Sequence, residues 1–144
     1  MSKTRRVAAA HLAPILLDAA ATTAKACEWI ARAGQDGVEL LVFPEVFLPG
    51  FPYWINCYPP LMQPGLTAQY HAASVTVPGP EIAEIQAAAA SAGVAVVMGV
   101  SERQAGGHTC FNSQVFIERD GTLRGVHRKL QPTFVERAVW GQGD

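Results

Sequence analysis

The chain places carboxylate and ammonium side chains at the ends of apolar runs, where a folded sheet presents groups for chemistry. Residues 38–43 are apolar except for Glu39; Pro44 stops the run and Glu45 follows. Proline cannot continue a central strand, and in open α/β sheets ligands sit beyond the carboxyl ends of the strands. Glu45 therefore stands where a general acid or base would act. A helix cap or the partner of a surface lysine is the competing reading, and this stretch alone does not separate the two. The second place is His127-Arg128-Lys129-Leu130-Gln131-Pro132-Thr133-Phe134-Val135-Glu136-Arg137. His127, Arg128 and Arg137 read as a solvated basic rim, whereas Lys129 falls where a strand ends. A lysine beside a glutamate in a dry pocket is an ammonium poised over developing negative charge. Spacing does not by itself bring Lys129 to Glu45.

The three cysteines give no obvious nucleophile. Cys27 lies on the apolar side of a helical pattern and reads as core. Cys57 sits in a proline- and aromatic-rich loop with no base spaced to activate it. Cys110 precedes a strand, at what the pattern makes the end opposite to the catalytic groups. Phe51, Tyr53, Trp54 and Tyr58 either line a pocket for an apolar substrate or pack beneath a long loop. His71 reads as a surface residue.

These groups need elements to hold them. At 144 residues the chain has the length of one domain, and its apolar content suffices for a core. A formal net charge of −1 with scattered charges argues against nucleic acid or an anionic membrane as partner. No apolar run reaches the roughly 20 residues of a membrane span, and the first six residues do not read as a secretory signal. Three cysteines, an odd number without a CxxC pair, fit a reducing cytoplasm better than a disulfide scaffold or a zinc site.

Residues 7–12 read as a strand. A helix follows, capped near Asp18, Thr22 and Thr23 and ending near Gly34 and Gly37, with Ala20, Ala24, Cys27, Ile30 and Ala31 on its apolar face. The strand at 38–43 completes a βαβ unit, which predicts parallel pairing and a right-handed crossover. A short helix is expected at 66–73. A further one opens at Pro80-Glu81 with Ile82, Ile85, Ala89 and Ala92 on one face. Residues 94–100 read as a strand buried on both faces, with Ser101-Glu102-Arg103 at its carboxyl end. Alternating strands at 111–118 and 123–127, joined by Asp120-Gly121, predict an antiparallel pair and hence a mixed sheet.

Five motifs together carry a family resemblance. They are Phe43-Pro44-Glu45, Pro49-Gly50-Phe51-Pro52-Tyr53-Trp54, Met98-Gly99-Val100-Ser101-Glu102-Arg103, Arg128-Lys129-Leu130-Gln131-Pro132-Thr133 with Glu136-Arg137, and Val139-Trp140-Gly141-Gln142-Gly143-Asp144. In order and wording they resemble the nitrilase branch of the carbon–nitrogen hydrolases. The loop Phe51-Pro52-Tyr53-Trp54 and the final motif favour nitrilases over amidases and carbamoylases. Ala10-His11 departs from the Val-Gln usual in the family, with packing consequences expected.

The resemblance implies an α/β fold of the αββα sandwich type, here an incomplete half with a mixed sheet. Residues 1–144 would be the amino-terminal part of a single carbon–nitrogen hydrolase domain, ending before the strand that bears the nucleophile. It implies a Glu-Lys-Cys triad in which Glu45 is the base, Lys129 stabilises the tetrahedral intermediate and Glu136 is a second glutamate of the site. Tyr53, Trp54 and Thr133 are the implied substrate-binding residues. None of the three cysteines matches the family's nucleophile. The implied activity is hydrolysis of a small-molecule nitrile to the carboxylic acid and ammonia, with no metal or organic cofactor. Cyanide or amide hydrolysis, nitrile hydration and a purely assembling fragment are the alternatives. The implied partner is a further copy of the same protein, in assemblies from dimers to spirals.

Overall fold

The computed structural model describes residues 4–144. Five strands, β1 (Val7–Ala9), β2 (Leu40–Val42), β3 (Ala95–Arg103), β4 (Cys110–Ile117) and β5 (Leu123–Arg128), form one sheet in sequence order. The first three are parallel; β4 runs antiparallel to both β3 and β5. Three helices, α1 (Ala19–Gln35), α2 (Pro64–Ala73) and α3 (Pro80–Ala92), complete the regular structure with three 3₁₀ turns. The mixed five-stranded sheet with helices on it is the α/β arrangement expected of half an αββα sandwich.

Each helix starts and stops for a chemical reason. The Asp18 carboxylate accepts from the Ala21 amide at 2.9 Å and caps α1. Pro80 sits in the first turn of α3 with Glu81, and Gly93 ends it in the left-handed conformation at φ 65°. The buried stripe of α1 is Thr22, Thr23, Ala26, Ile30 and Ala33, which corrects the face expected from the sequence. Ala20, Ala24 and Ala31 are exposed and Cys27 is half-buried. Two threonines replace alanines inside because their hydroxyls are satisfied, Thr22 donating to the Ile15 carbonyl at 3.0 Å and Thr23 to Ala19 at 2.8 Å.

Helices α1 and α3 lie on the same face of the sheet, as successive right-handed crossovers require. They touch where Gly34 meets Ala92; a Cβ on Gly34 would sit 2.8 Å from the Ala92 carbonyl oxygen. Between helices and sheet, Ile30, Ile82, Ile85, Leu41, Val96, Met98, Val100 and Val115 form the main core. The strand β3 is buried along its whole length on this face, and on the other only at Gly99 and Ser101. Val94, Val96, Met98 and Val100 are fully buried, while Ala95 and Val97, on the other face, are partly exposed. The expectation of burial on both faces is thus corrected for this half of the strand: among the described residues neither α1 nor α3 reaches the second face at Ala95 and Val97.

That second face carries the chain segment after β2. Phe43 donates to Val97 in continuation of the sheet, and Leu48 rejoins it by donating to Gly99 at 3.1 Å. Residues 44–47 between them are lifted off, directly over Gly99. A Cβ on Gly99 would lie 2.3 Å from the Pro44 oxygen and 2.6 Å from the Val46 nitrogen, so only glycine allows this approach. A buried polar group then ties the loop beyond to the sheet. Ser101 Oγ accepts from Ser74 Oγ at 2.8 Å and from Trp140 Nε1 at 2.9 Å, and the Tyr70 hydroxyl donates to Gly50 at 3.0 Å.

Because Gly99 supports the lifted segment, Gly99→Ala is expected to destabilise the protein by about 1–3 kcal/mol, the usual range for overpacking. Urea unfolding against a control such as Gly65→Ala, which meets nothing within 4 Å, measures this. Equal stability of the two variants would show that the lift is not supported there.

Candidate active site

Strand directions decide what meets at one edge. The carboxyl ends of β1, β2 and β3 share an edge, and β5, antiparallel to an antiparallel strand, also ends there. Glu45 after β2 and Lys129 after β5 therefore arrive together. The same logic corrects the expectation for Cys110. It pairs with Arg103 at the carboxyl end of β3, so the start of β4 is at the edge that holds Glu45 and Lys129 and not opposite to it. Antiparallel pairing reverses the sense that a parallel sheet would impose. Cys110 nonetheless lies buried under Trp140.

The Lys129 ammonium donates to Glu45 Oε1 at 3.0 Å and stands 3.0 Å from Glu136 Oε2 and 3.2 Å from Glu136 Oε1. Two carboxylates thus share one cation. Glu136 is positioned by the turn it helps to build, a 3₁₀ turn at Phe134–Ala138. Thr133 and Glu136 form a reciprocal cap there, in which the Thr133 amide donates to Glu136 Oε2 at 2.7 Å.

Asn112 completes the constellation, and sequence reasoning did not single it out. Its Nδ2 donates to Glu45 Oε1 at 2.7 Å, and its side chain is buried. Its backbone carbonyl accepts from the Lys129 amide at 2.7 Å. One residue of β4 therefore holds both partners. The only hint was an amide at an inward position of an apolar alternating strand. Val46, next to Glu45, sits at φ 47°. A β-branched residue there is strained, and such strain gathers at functional sites.

Electrostatics follow the geometry. Partial burial pushes the Glu45 carboxyl up, but the hydrogen bonds from Lys129 and Asn112 and the charge of Lys129 outweigh it, leaving the group below its ordinary 4.5. Burial likewise pulls Lys129 down, yet the bonds and charges of Glu45 and Glu136 hold it above its ordinary 10.5. Each group thus favours the charged form of the other, a carboxylate on an ammonium. Beside it lies an open recess of about 290 Å³ lined by Glu45, Asn112, Gln114, His127 and Lys129. An adjoining groove of about 450 Å³ passes Glu45 on the other side, lined by residues that include Pro14, Leu16, Phe51, Tyr53 and His11.

The remaining sequence-indicated residues take different places. Tyr53 is exposed and faces the groove beside Glu45. Trp54 packs edge-on against Tyr70, with ring centroids 5.5 Å apart. Thr133 serves as the cap of the Glu136 turn. His71 is half-buried, with Nε2 3.1 Å from the His108 carbonyl. Burial, followed by the charge of Glu84, raises the Cys27 thiol, and burial raises that of Cys110. Cys57 is exposed, its Sγ 3.8 Å from the Tyr53 carbonyl. Among the described residues no cluster of three or more His, Cys, Asp or Glu could hold a metal ion, and no helix is long and apolar enough to cross a membrane.

Comparison with known proteins agrees with this architecture. The carbon-nitrogen hydrolase family model matches residues 6–144. The chain belongs to the carbon–nitrogen hydrolase family. Within that family it is 41% identical over 144 residues to an aliphatic nitrilase of Rhodococcus rhodochrous, covering 99% of this chain and 39% of that protein. It is 43% identical over 136 residues to Nitrilase 2 of an unknown prokaryotic organism, covering 94% and 43%. The chain thus spans about two-fifths of the length of these relatives. Among solved structures, an amidase from Nesterenkonia sp. superposes with a TM-score of 0.68 at 20% identity, covering 97% of this chain and 48% of that one. That likeness speaks for the fold.

Since Lys129 is the strongest force holding the Glu45 proton off, Lys129→Ala is expected to raise the Glu45 titration midpoint. In the parent, the bonds from Lys129 and Asn112 hold that carboxyl down. A depressed carboxylate contributes stability that is present above the unfolded midpoint, near 4.3, and lost as pH falls through the folded one. Carboxyl ¹³C titration measures the shift, and an unchanged midpoint in the variant would show that the two groups do not interact in solution.

Proposed function

We propose that this chain supplies Glu45, Lys129 and Glu136 to a nitrilase that hydrolyses a nitrile to the carboxylic acid and ammonia. The observation that carries the reading is that Glu45, far away in sequence, and Glu136 both meet the Lys129 ammonium, at the edge of a recess that Glu45 and Lys129 line. The nucleophile is a thiol from a segment outside residues 1–144. The thiolate attacks the nitrile carbon, and the nitrile nitrogen takes up a proton to give a thioimidate. Water adds, ammonia leaves and a thioester remains; a second water releases the acid and returns the thiol.

Each residue type suits its step. A free thiol is mostly protonated at neutral pH, and a carboxylate beside it takes the proton. Lys129, already fixed by two carboxylates, supplies positive charge where nitrogen or oxygen becomes anionic, without reorganising. Asn112 keeps the Glu45 carboxylate facing Lys129. Tyr53 and the apolar groove beside Glu45 would receive the nitrile's side chain, which favours an apolar substituent. Trp54 and Thr133 support that wall and the Glu136 turn.

The uncovered sheet face supports the reading of the chain as part of a larger sandwich. Val7, Leu40, Val42, Val97 and Phe116 keep exposure on that face, and apolar surface of this kind is normally covered by protein. The second layer of the sandwich would cover it in the complete enzyme. Helices α1 and α3, on the opposite face, are where a symmetric contact between copies would form, giving a homo-oligomer from dimer to spiral. Three unpaired cysteines fit a reducing cytoplasm as the place of action.

In the complete enzyme Glu45→Gln should lower turnover by roughly 10²–10⁴-fold, the usual worth of a positioned proton-transfer group, with the fold intact. Lys129→Arg should also lose most activity, because the guanidinium fork does not fit the place of a compact ammonium. Turnover of Glu45→Gln within about tenfold of the parent would overturn the base assignment. Product analysis distinguishes acid plus ammonia from amide, and amide as sole product would move the enzyme to nitrile hydration.

The 144-residue chain alone should release no ammonia from aliphatic or aromatic nitriles. Ammonia release abolished by iodoacetamide would place the nucleophile at Cys27, Cys57 or Cys110 and refute the external thiol.

A further inference from the structure

Directly behind the site, on the helix-covered face of the sheet, lies a half-buried ion pair that the proposed chemistry does not use. Glu102 on β3 is 4% exposed. It accepts from Arg128 Nη2 at 2.6 Å and Nε at 3.0 Å, and from Ser113 Oγ at 2.6 Å. β3 and β5 are not neighbours; β4 runs between them. The guanidinium therefore crosses β4, its carbon 4.1 Å above the centre of the Phe111 ring. Its remaining nitrogen, Nη1, reaches Asp144 Oδ1 at 3.3 Å. Glu102, Ser113 and Arg128 thus tie three strands together at the catalytic edge.

Arg128 is the residue before Lys129. Side chains of successive strand residues point to opposite faces, and the ladder continues through Lys129, whose amide donates to Asn112. Fixing Arg128 behind the sheet therefore fixes the direction in which Lys129 leaves it in front. The Gly143 amide donates to the Lys129 carbonyl at 3.1 Å, and a Cβ on Gly143 would come within 2.6 Å of the Arg128 oxygen. The backbone of both residues is thereby packed from the far side as well.

We propose that Glu102 and Arg128 are positioning residues for Lys129, a back-side clamp that sets where the ammonium meets Glu45 and Glu136. This rests on the catalytic reading of Lys129. Buried ion pairs add little net stability compared with well-packed apolar residues, so the effect of this one falls on geometry. The bidentate fork matters more than the charge, because a single ammonium would hold Glu102 without fixing the strand.

The test compares Glu102→Gln and Arg128→Lys, in the complete enzyme and in the 144-residue chain, with Lys129→Ala alongside. In the enzyme each clamp variant is expected to lower kcat by about 10²-fold, the cost of misplacing a group by roughly 1 Å, while KM changes little. In the chain, the Glu45 midpoint read by carboxyl ¹³C titration should rise, and adding Glu102→Gln to Lys129→Ala should raise it no further. Arg128→Lys serves as the second variant should Glu102→Gln fail to fold. Clamp variants with parental kcat and Glu45 midpoint, whatever their unfolding free energy, would overturn the proposal and leave a structural ion pair only. A shift of the Glu45 midpoint that persists undiminished in the Lys129→Ala background would overturn it too. Parental turnover in Lys129→Ala itself would instead overturn the catalytic reading on which the clamp rests.

Discussion

One ammonium between two carboxylates is the interaction on which the rest depends. Lys129 stands 3.0 Å from both Glu45 and Glu136. One cation is thus shared by two carboxyl groups, and its hydrogen bonds and charge hold the Glu45 carboxyl down while theirs hold the ammonium up. The components of the site come from three separate parts of the chain, and each is delivered by a different device. Glu45 rides on a segment lifted over Gly99, Lys129 ends an edge strand, and Glu136 closes a short capped turn.

The devices share a theme, which is that the site is positioned by backbone bonds together with short or rigid side chains. Asn112 offers its carbonyl to the Lys129 amide and its amide to the Glu45 carboxylate. Thr133 and Glu136 cap each other. Ser101, with Ser74 and Trp140, fixes the loop that follows the lifted segment. Fully satisfied polar networks of this sort specify one arrangement, because any alternative leaves buried groups without partners. The strain at Val46 is then held by its surroundings, with the Val46 side chain fully buried.

The sheet has two unlike faces. One is closed by α1 and α3 over an aliphatic core. The other carries the site at one end and a partly bare apolar strip at the other. A recess of about 290 Å³ open to solvent is a poor environment for fixed charges to act strongly, since water screens them. Covering that face would both bury the strip and dry the site.

Much of this was legible in the amino acids, and the reason is local chemistry. Pro44 ends a strand and puts Glu45 after it, Asp120-Gly121 makes a hairpin, and Pro80 and Gly93 bracket α3. Each effect acts within a few residues. Motif order pointed to the family and to Glu45, Lys129 and Glu136 as its site residues. What only the tertiary structure decided involves contacts between segments far apart. Periodicity put alanines inside α1, whereas Thr22 and Thr23 are buried because carbonyls within reach satisfy their hydroxyls. Cys110 lies at the edge that holds Glu45 and Lys129 because β4 runs antiparallel, a matter of sheet topology. The roles of Asn112 and of the Glu102–Arg128 pair could not be read from the sequence, since they arise only once β3, β4 and β5 lie side by side.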